Sequence, residues 1–276
     1  MEEIEKELQN SSLVEIIKLS EAAEREKQDT SAMIPSGYPD LDGCMDGGFR
    51  EGDFTIITGV PGEGKSTLAR MFTMSFAERN ICSLWFSHEM SHRELWDSFQ
   101  KMGADTSLIA YVPFSLEDDF DWMIRHIERG IAEHQTKAVF IDTLGDVVKS
   151  VKDQRELSNY ATYLAQMCKD LRKCAIKNKI IIFAVAHAVK NTRSRTNETS
   201  NSDIANSNGI PAAATNIFHV WRSEESDMGS YVKIGKSRRD GTKKNWRFEM
   251  VFENGRLVSR GRHVSYQGEA TWREIK

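Results

Sequence analysis

The octet Gly59-Val60-Pro61-Gly62-Glu63-Gly64-Lys65-Ser66 constrains this chain more than any other stretch, because it fits G-x-x-x-x-G-K-[ST] at every fixed position. An apolar run, Phe54 to Thr58, precedes it, and a helical pattern from Thr67 to Phe72 follows. Strand, glycine loop and helix in that order form a cradle whose backbone N–H groups turn inward around phosphates. Gly59, Pro61, Gly62 and Gly64 shape the loop. Lys65 is placed to neutralise the β/γ oxygens, and the Ser66 hydroxyl, with Thr67 beside it, faces Mg²⁺. The octet predicts a site for ATP, or another NTP or dNTP, with Mg²⁺.

Such a loop belongs to an α/β domain with a mainly parallel sheet, and the rest of the chain agrees. Apolar runs at Ser83–Ser87, Ala138–Ile141 and Ile180–Ala186 alternate with helical spacing at Phe120, Ile124, Ile127 and Ile131, and again at Leu157, Tyr160, Leu164, Met167 and Leu171. The continuous apolar runs suit parallel strands covered on both faces. Further candidates at Ile217–Trp221, Tyr231–Ile234 and Phe248–Phe252 are joined by short connections, which predicts an antiparallel C-terminal extension. The expected divisions are a helical arm and linker over 1–32, an ATPase core over 33–262 and a tail over 263–276. In the arm, Ser12-Leu13-Val14-Glu15 is a capping-box pattern, and its narrow apolar stripe has to pack on its own domain or on a neighbouring subunit.

At 276 residues, with 39% hydrophobic and 28% charged residues, the chain has the composition of an ordinary globular protein. No run is apolar enough for a membrane span, no secretory leader is apparent, and Cys44, Cys82, Cys168 and Cys174 lack C-x-x-C spacing. A cytoplasmic setting with reduced thiols is the expectation. The net charge of −4 does not advertise nucleic acid. The charge is uneven, however: residues 1–29 are rich in glutamate, and Lys190 to Arg195 and Lys233 to Arg247 are basic.

Two acids complete the chemistry. Asp142 ends the run Ala138-Val139-Phe140-Ile141, where it can hold the Mg²⁺ shell opposite Ser66. Glu89, in Ser87-His88-Glu89-Met90, lies just past the second strand, where a carboxylate can polarise water against the γ-phosphate. The alternative is the first-turn acid of the helix that follows, and the combined pattern favours the catalytic place.

Taken together these motifs resemble the RecA-like ATPase domain of DnaB-type replicative helicases, in particular the phage primase–helicase and Twinkle branch. The resemblance covers about residues 33 to 260. It runs from the lead-in Pro35-Ser36-Gly37-Tyr38-Pro39-Asp40-Leu41-Asp42, with Gly47-Gly48-Phe49 and Gly52-Asp53, through Ser87–Met90 and Ala184-Val185-Ala186-His187 to Ser202-Asp203-Ile204 and Ser207-Asn208-Gly209-Ile210, with Ala205 where the family usually has arginine.

The resemblance implies a catalytic base at Glu89 and a γ-phosphate sensor at His187. It implies Arg238 as an arginine finger, with Lys236 as its partner, reaching a neighbouring subunit's site. It implies Arg222 and Phe252 on either side of the nucleotide base, although Phe252 suits a core position equally well. It further implies Lys190, Arg193 and Arg195 on a DNA loop in a central channel, where a solvated basic loop is the plainer alternative.

The activity implied is an ATP-driven 5′–3′ DNA helicase acting on single-stranded and forked DNA as a homo-oligomer, most simply a hexamer, in a bacterial or phage-infected cell. Nothing in the sequence resembles a primase, so a separate primase, loader or polymerase is the expected partner. A RecA/RadA-type recombinase and a KaiC-like or loader ATPase share the same core and stay open.

Overall fold

The computed structural model describes residues 17–28, 33–117, 119–147, 160–189, 197–204, 209–222, 229–238, 246–253, 256–266 and 269–273. The chain divides into two units, Met1–Ala32 and Met33–Lys276. In the first, helix Leu19–Gln28 carries an i,i+4 ion pair between Arg25 and Glu21. The capping-box residues Ser12 to Glu15 lie outside the described residues, while Ile17 and Lys18 precede the helix.

The second unit is built on one sheet that holds ten strands among the described residues. They are β1 (Phe54–Gly59), β2 (Ser83–Ser87), β3 (Ala110–Tyr111), β4 (Ala138–Asp142), β5 (Ile181–His187), β6 (Asn216–Arg222), β7 (Gly229–Ser237), β8 (Trp246–Glu253), β9 (Arg256–Tyr266) and β10 (Glu269–Arg273). The order across the sheet is β10-β9-β8-β7-β6-β1-β5-β4-β2-β3. Strands β6 to β3 in that order are parallel, and β7 to β10 are antiparallel. This is the α/β architecture with an antiparallel C-terminal extension that the apolar runs predict. β9 and β10 carry the sheet on through most of 263–276, the segment expected as a tail.

Period-two alternation sends the side chains of the central strands to two cores. On one face Ile57, Trp85, Phe140, Phe183 and Phe218 meet helices Lys65–Ala77 and His92–Gln100. On the other Ile56, Phe86, Ile141 and Ile182 meet helices Phe120–His134 and Tyr160–Asn178. Phe49 centres the first core, with edge contacts to Phe72 at 5.3 Å and Phe183 at 4.8 Å between ring centroids. The lead-in segment delivers it there: Ile34 and Phe49 exchange backbone hydrogen bonds, and Asp42 Oδ1 accepts the Ser36 N–H at 2.7 Å. Burial pushes the Asp42 carboxyl up, against hydrogen bonds that lower it. All four cysteines are free and buried, as reduced thiols.

Candidate nucleotide site

The parallel strands end together at one edge of the sheet, and the residues that follow them form the site. After β1 the chain turns through Gly62 and Gly64, at φ 82° and 98°, into helix Lys65–Ala77. Those angles lie in the left-handed region where a side chain is strained. Gly59 is required for a different reason. A Cβ there would stand 2.2 Å from the Val220 carbonyl oxygen of the neighbouring β6. Pro61 and Gly62 are exposed at the loop's apex, while Lys65 is buried.

Lys65 Nζ donates to the Val60 carbonyl at 3.0 Å. Burial lowers its pKa, and the carboxylates of Glu89, Asp142 and Glu63 act in the opposite sense. A cation held in a dry glycine cradle, donating to a backbone oxygen of that same cradle, is set to exchange that oxygen for a phosphate. Asp142 closes β4 at 2% exposure, hydrogen-bonded to the Ser66 hydroxyl. Burial raises its carboxyl, while the Ser66 bond and the nearby Arg70 and Lys65 charges pull it back. Its Oδ1 is buried without a hydrogen-bond partner. An orphaned carboxylate oxygen beside a serine hydroxyl fits a hard cation with oxygen ligands. Ser66 and Asp142 would hold Mg²⁺, the group this donor set suits. Bound there, Mg²⁺ would neutralise charge on a nucleotide's phosphates.

Glu89 and His187 arrive from different strands. Register pairs Gly59 with His187 and Ser87 with Asp142, so the ends of β1, β5, β4 and β2 lie side by side. His187 Nε2 and Glu89 Oε1 are 3.0 Å apart, and His187 Nδ1 is buried without a partner. The helix after Glu89 starts at His92, with Ser91 as N-cap and Glu94 completing the capping box. Glu94 fills the first-turn place, and Glu89 stands outside the helix. The structure thus brings Lys65, Ser66, Asp142, Glu89 and His187 to one edge, with Thr67 in the first turn of the helix.

Arg222 ends β6 at the same edge, with an exposed side chain and a backbone N–H that donates to Glu63. Phe252 lies on β8 opposite Leu257, two strands from Arg222; its side chain falls outside the described residues. Lys190, Arg193 and Arg195 also fall outside them.

Lys236 and Arg238 are elsewhere. Lys236 pairs with Ile217 at the start of β6, level with Ile56 near the start of β1. They stand at the opposite end of β1 from the phosphate loop, roughly 10–13 Å along the strand at ~3.3 Å per residue. Lys236 donates to the Pro211 carbonyl, and Arg238 to the carbonyls of Ala212 and Ala214. Burial, followed by the charges of Arg238 and Arg172, lowers Lys236 to about 8.

Three residues at positions that the motifs leave unspecified enter the site. Arg70, one helical turn beyond Thr67, donates to the Thr67 hydroxyl and to the Met90 sulfur, and its charge favours ionised Asp142. Glu63 is buried and accepts from Asn197. The available signals were an acid set inside an anion cradle and an arginine on a buried helix face. Asn197 gave none.

Known proteins share this fold. A DnaB-like replicative helicase, solved in a study of its interactions with primase, matches 93% of this chain and 70% of its own at TM-score 0.70 and 17% identity. A KaiC-like protein of Pyrococcus horikoshii OT3 matches 83% of this chain and 99% of its own at TM-score 0.65 and 17% identity. Among curated proteins, the DNA repair protein RadA of Mycobacterium tuberculosis is 24% identical over 156 residues, 56% of this chain and 31% of RadA. The circadian clock oscillator protein KaiC of Prochlorococcus marinus is 25% identical over 132 residues, 45% of this chain and 26% of KaiC. The matched region thus spans about a third or less of these relatives. Across residues 34–199, well over half of the chain, the sequence matches the family model of the KaiC ATPase, and the chain belongs to that family of RecA-like ATPases.

Proposed function

We propose that this chain is the ATPase core of a DNA helicase that assembles as a ring, most simply a hexamer, and moves 5′–3′ on single-stranded DNA to open forked duplex. In this reading Lys65 holds the β/γ-phosphates, and Ser66 and Asp142 hold Mg²⁺. Glu89 accepts a proton from the attacking water, and His187 reports the γ-phosphate by its bond to Glu89. Arg222 and Phe252 hold the base, and Lys190, Arg193 and Arg195 follow DNA phosphates. A primase, loader or polymerase is a separate partner.

The observation that carries the reading is the place of Lys236 and Arg238. A cation pair at the far end of β1, held there by the Pro211, Ala212 and Ala214 carbonyls, lies away from its own phosphate loop and would serve a neighbour's, and a head-to-tail contact of that kind makes a ring when its rotation closes. An arginine supplied in this way is worth ~10³–10⁵ in rate. Mixing Lys65→Ala subunits with Arg238→Ala subunits tests it. Each variant alone should be nearly inactive as an ATPase, and the mixture should recover activity through composite sites. Full activity of Arg238→Ala as an isolated monomer would end the trans reading.

The KaiC family match and the likeness to RadA favour a second reading, an ATPase that forms filaments or rings without unwinding DNA. Electron microscopy with and without single-stranded DNA, beside a forked-duplex unwinding assay, separates the two.

A further inference from the structure

Glu63 stands between two glycines of a loop suited to anions, and a carboxylate there needs partners other than substrate. Its side chain is 7% exposed, and both oxygens are engaged. Oε1 accepts from the Asn197 amide at 2.7 Å, and Oε2 accepts the backbone N–H of Arg222. These partners lie 134 and 159 residues further along the chain.

Asn197 opens a segment that is otherwise clamped to the sheet. Glu198 pairs with Lys233 at 2.7 Å and Arg247 at 2.8 Å. Thr199 and Asn201 hydrogen-bond the two ring nitrogens of buried His219, each at 2.8 Å. A bridge between Ala188 and Ile204 ties the end of this segment to the residue that follows β5. Arg222, the other partner, ends β6 with its guanidinium exposed.

We infer that Glu63 is a positioning residue through which occupancy of the phosphate loop sets the placement of Asn197 and Arg222. Gly62 and Gly64 flank it at positive φ, and nothing lies within 4 Å of where a Gly62 Cβ would be. The apex of the loop is therefore held by what its polar groups bind. Phosphates drawn onto the loop's N–H groups fix the backbone around Glu63. The carboxylate passes that constraint to a strand end on one side and to the segment of residues 197–204 on the other. The inference rests on nucleotide binding at this loop, and it does not need the DNA reading.

Exchanging donor and acceptor tests it. Asn197→Asp sets two carboxylates face to face and breaks the bond. Glu63→Gln with Asn197→Asp rebuilds it in reverse, the glutamine amide donating to the new carboxylate. Two measurements on the full chain without DNA give the readout: hydrogen exchange of peptides containing Asn197 and Arg222, with and without Mg²⁺ and a non-hydrolysable ATP analogue, and KM for ATP.

In the native protein the analogue slows exchange in both peptides. Asn197→Asp should remove most of that slowing and raise KM about tenfold, the worth of one charge-assisted hydrogen bond. The double variant should return both values toward native. Native protection and KM in Asn197→Asp would overturn the inference, as would a double variant no better than Asn197→Asp. If the analogue protected not even the peptide of residues 59–66 in the native protein, the nucleotide reading of the loop would fall instead. That outcome is distinct from loss of coupling alone.

Discussion

Glu89 and His187 meet at 3.0 Å although 98 residues separate them, and the pair shows what a single side chain can be asked to do. A glutamine at Glu89 keeps a hydrogen bond to His187 but cannot accept a proton from water. Glu89→Gln should therefore bind a fluorescent ATP analogue near the native affinity and lose ~10²–10⁴ in single-turnover hydrolysis. Hydrolysis at the native rate would remove Glu89 as the base.

His219 makes a prediction about stability. Burial, followed by the Lys233 charge, lowers its pKa from 6.5 to about 3, so the folded protein keeps it neutral where the unfolded chain takes up a proton. Its contribution is fully present above 6.5 and is lost as pH falls toward 3, at about 1.4 kcal/mol per pH unit. Denaturant titrations at pH 7 and 5 should show a smaller loss in His219→Gln than in the native protein. Lys65, Ser66, Asp142 and Glu89 were legible in the sequence because phosphate chemistry fixes their spacing from strand ends. Glu63, Arg70 and Asn197 were not, because their roles depend on partners that only the folded chain brings near.

At the scale of elements, apolar runs located β1, β2, β4 and β5 to within a residue at each end. Strands covered on both faces carry no polar alternation to blur them. β3 was invisible, since its two residues, Ala110 and Tyr111, make no pattern. β10 escaped as well, and β9 was marked only by the hairpin-turn signal of Glu253-Asn254-Gly255-Arg256. Arg256–Tyr266 interleaves Ser, Arg and His with its few apolar residues and has no run to read. Phe49 lies outside any strand or helix, yet its ring is fully buried against Phe72, Phe76, Phe183 and Phe218. Phe49→Ala should cost ~3–5 kcal/mol, read from equilibrium unfolding, because the surrounding rings are held by the sheet and the phosphate-loop helix and cannot collapse into the gap. A loss below ~1 kcal/mol would show that the core reorganises around this position.

For the whole molecule, the proposed DNA path has a salt signature. If Lys190, Arg193 and Arg195 follow phosphates, replacing all three with alanine should flatten the plot of log affinity against log salt by ~0.7 for each phosphate left without its cation. Basal hydrolysis should persist, since Lys65, Glu89 and Asp142 are untouched, while stimulation by DNA and unwinding should fail. An unchanged slope with normal unwinding would move the path elsewhere.

The length of β1 also sets a rule of arithmetic for the trans reading. Each chain then offers half a site at either end of that strand, and the halves are complementary rather than alike. An open row of n chains completes n − 1 sites and leaves one idle half at each terminus, whereas a closed one completes n. Turnover per chain should therefore climb in steps as short rows lengthen and stop rising at closure. On dilution it should fall faster than the number of chains, down to nothing for a chain by itself.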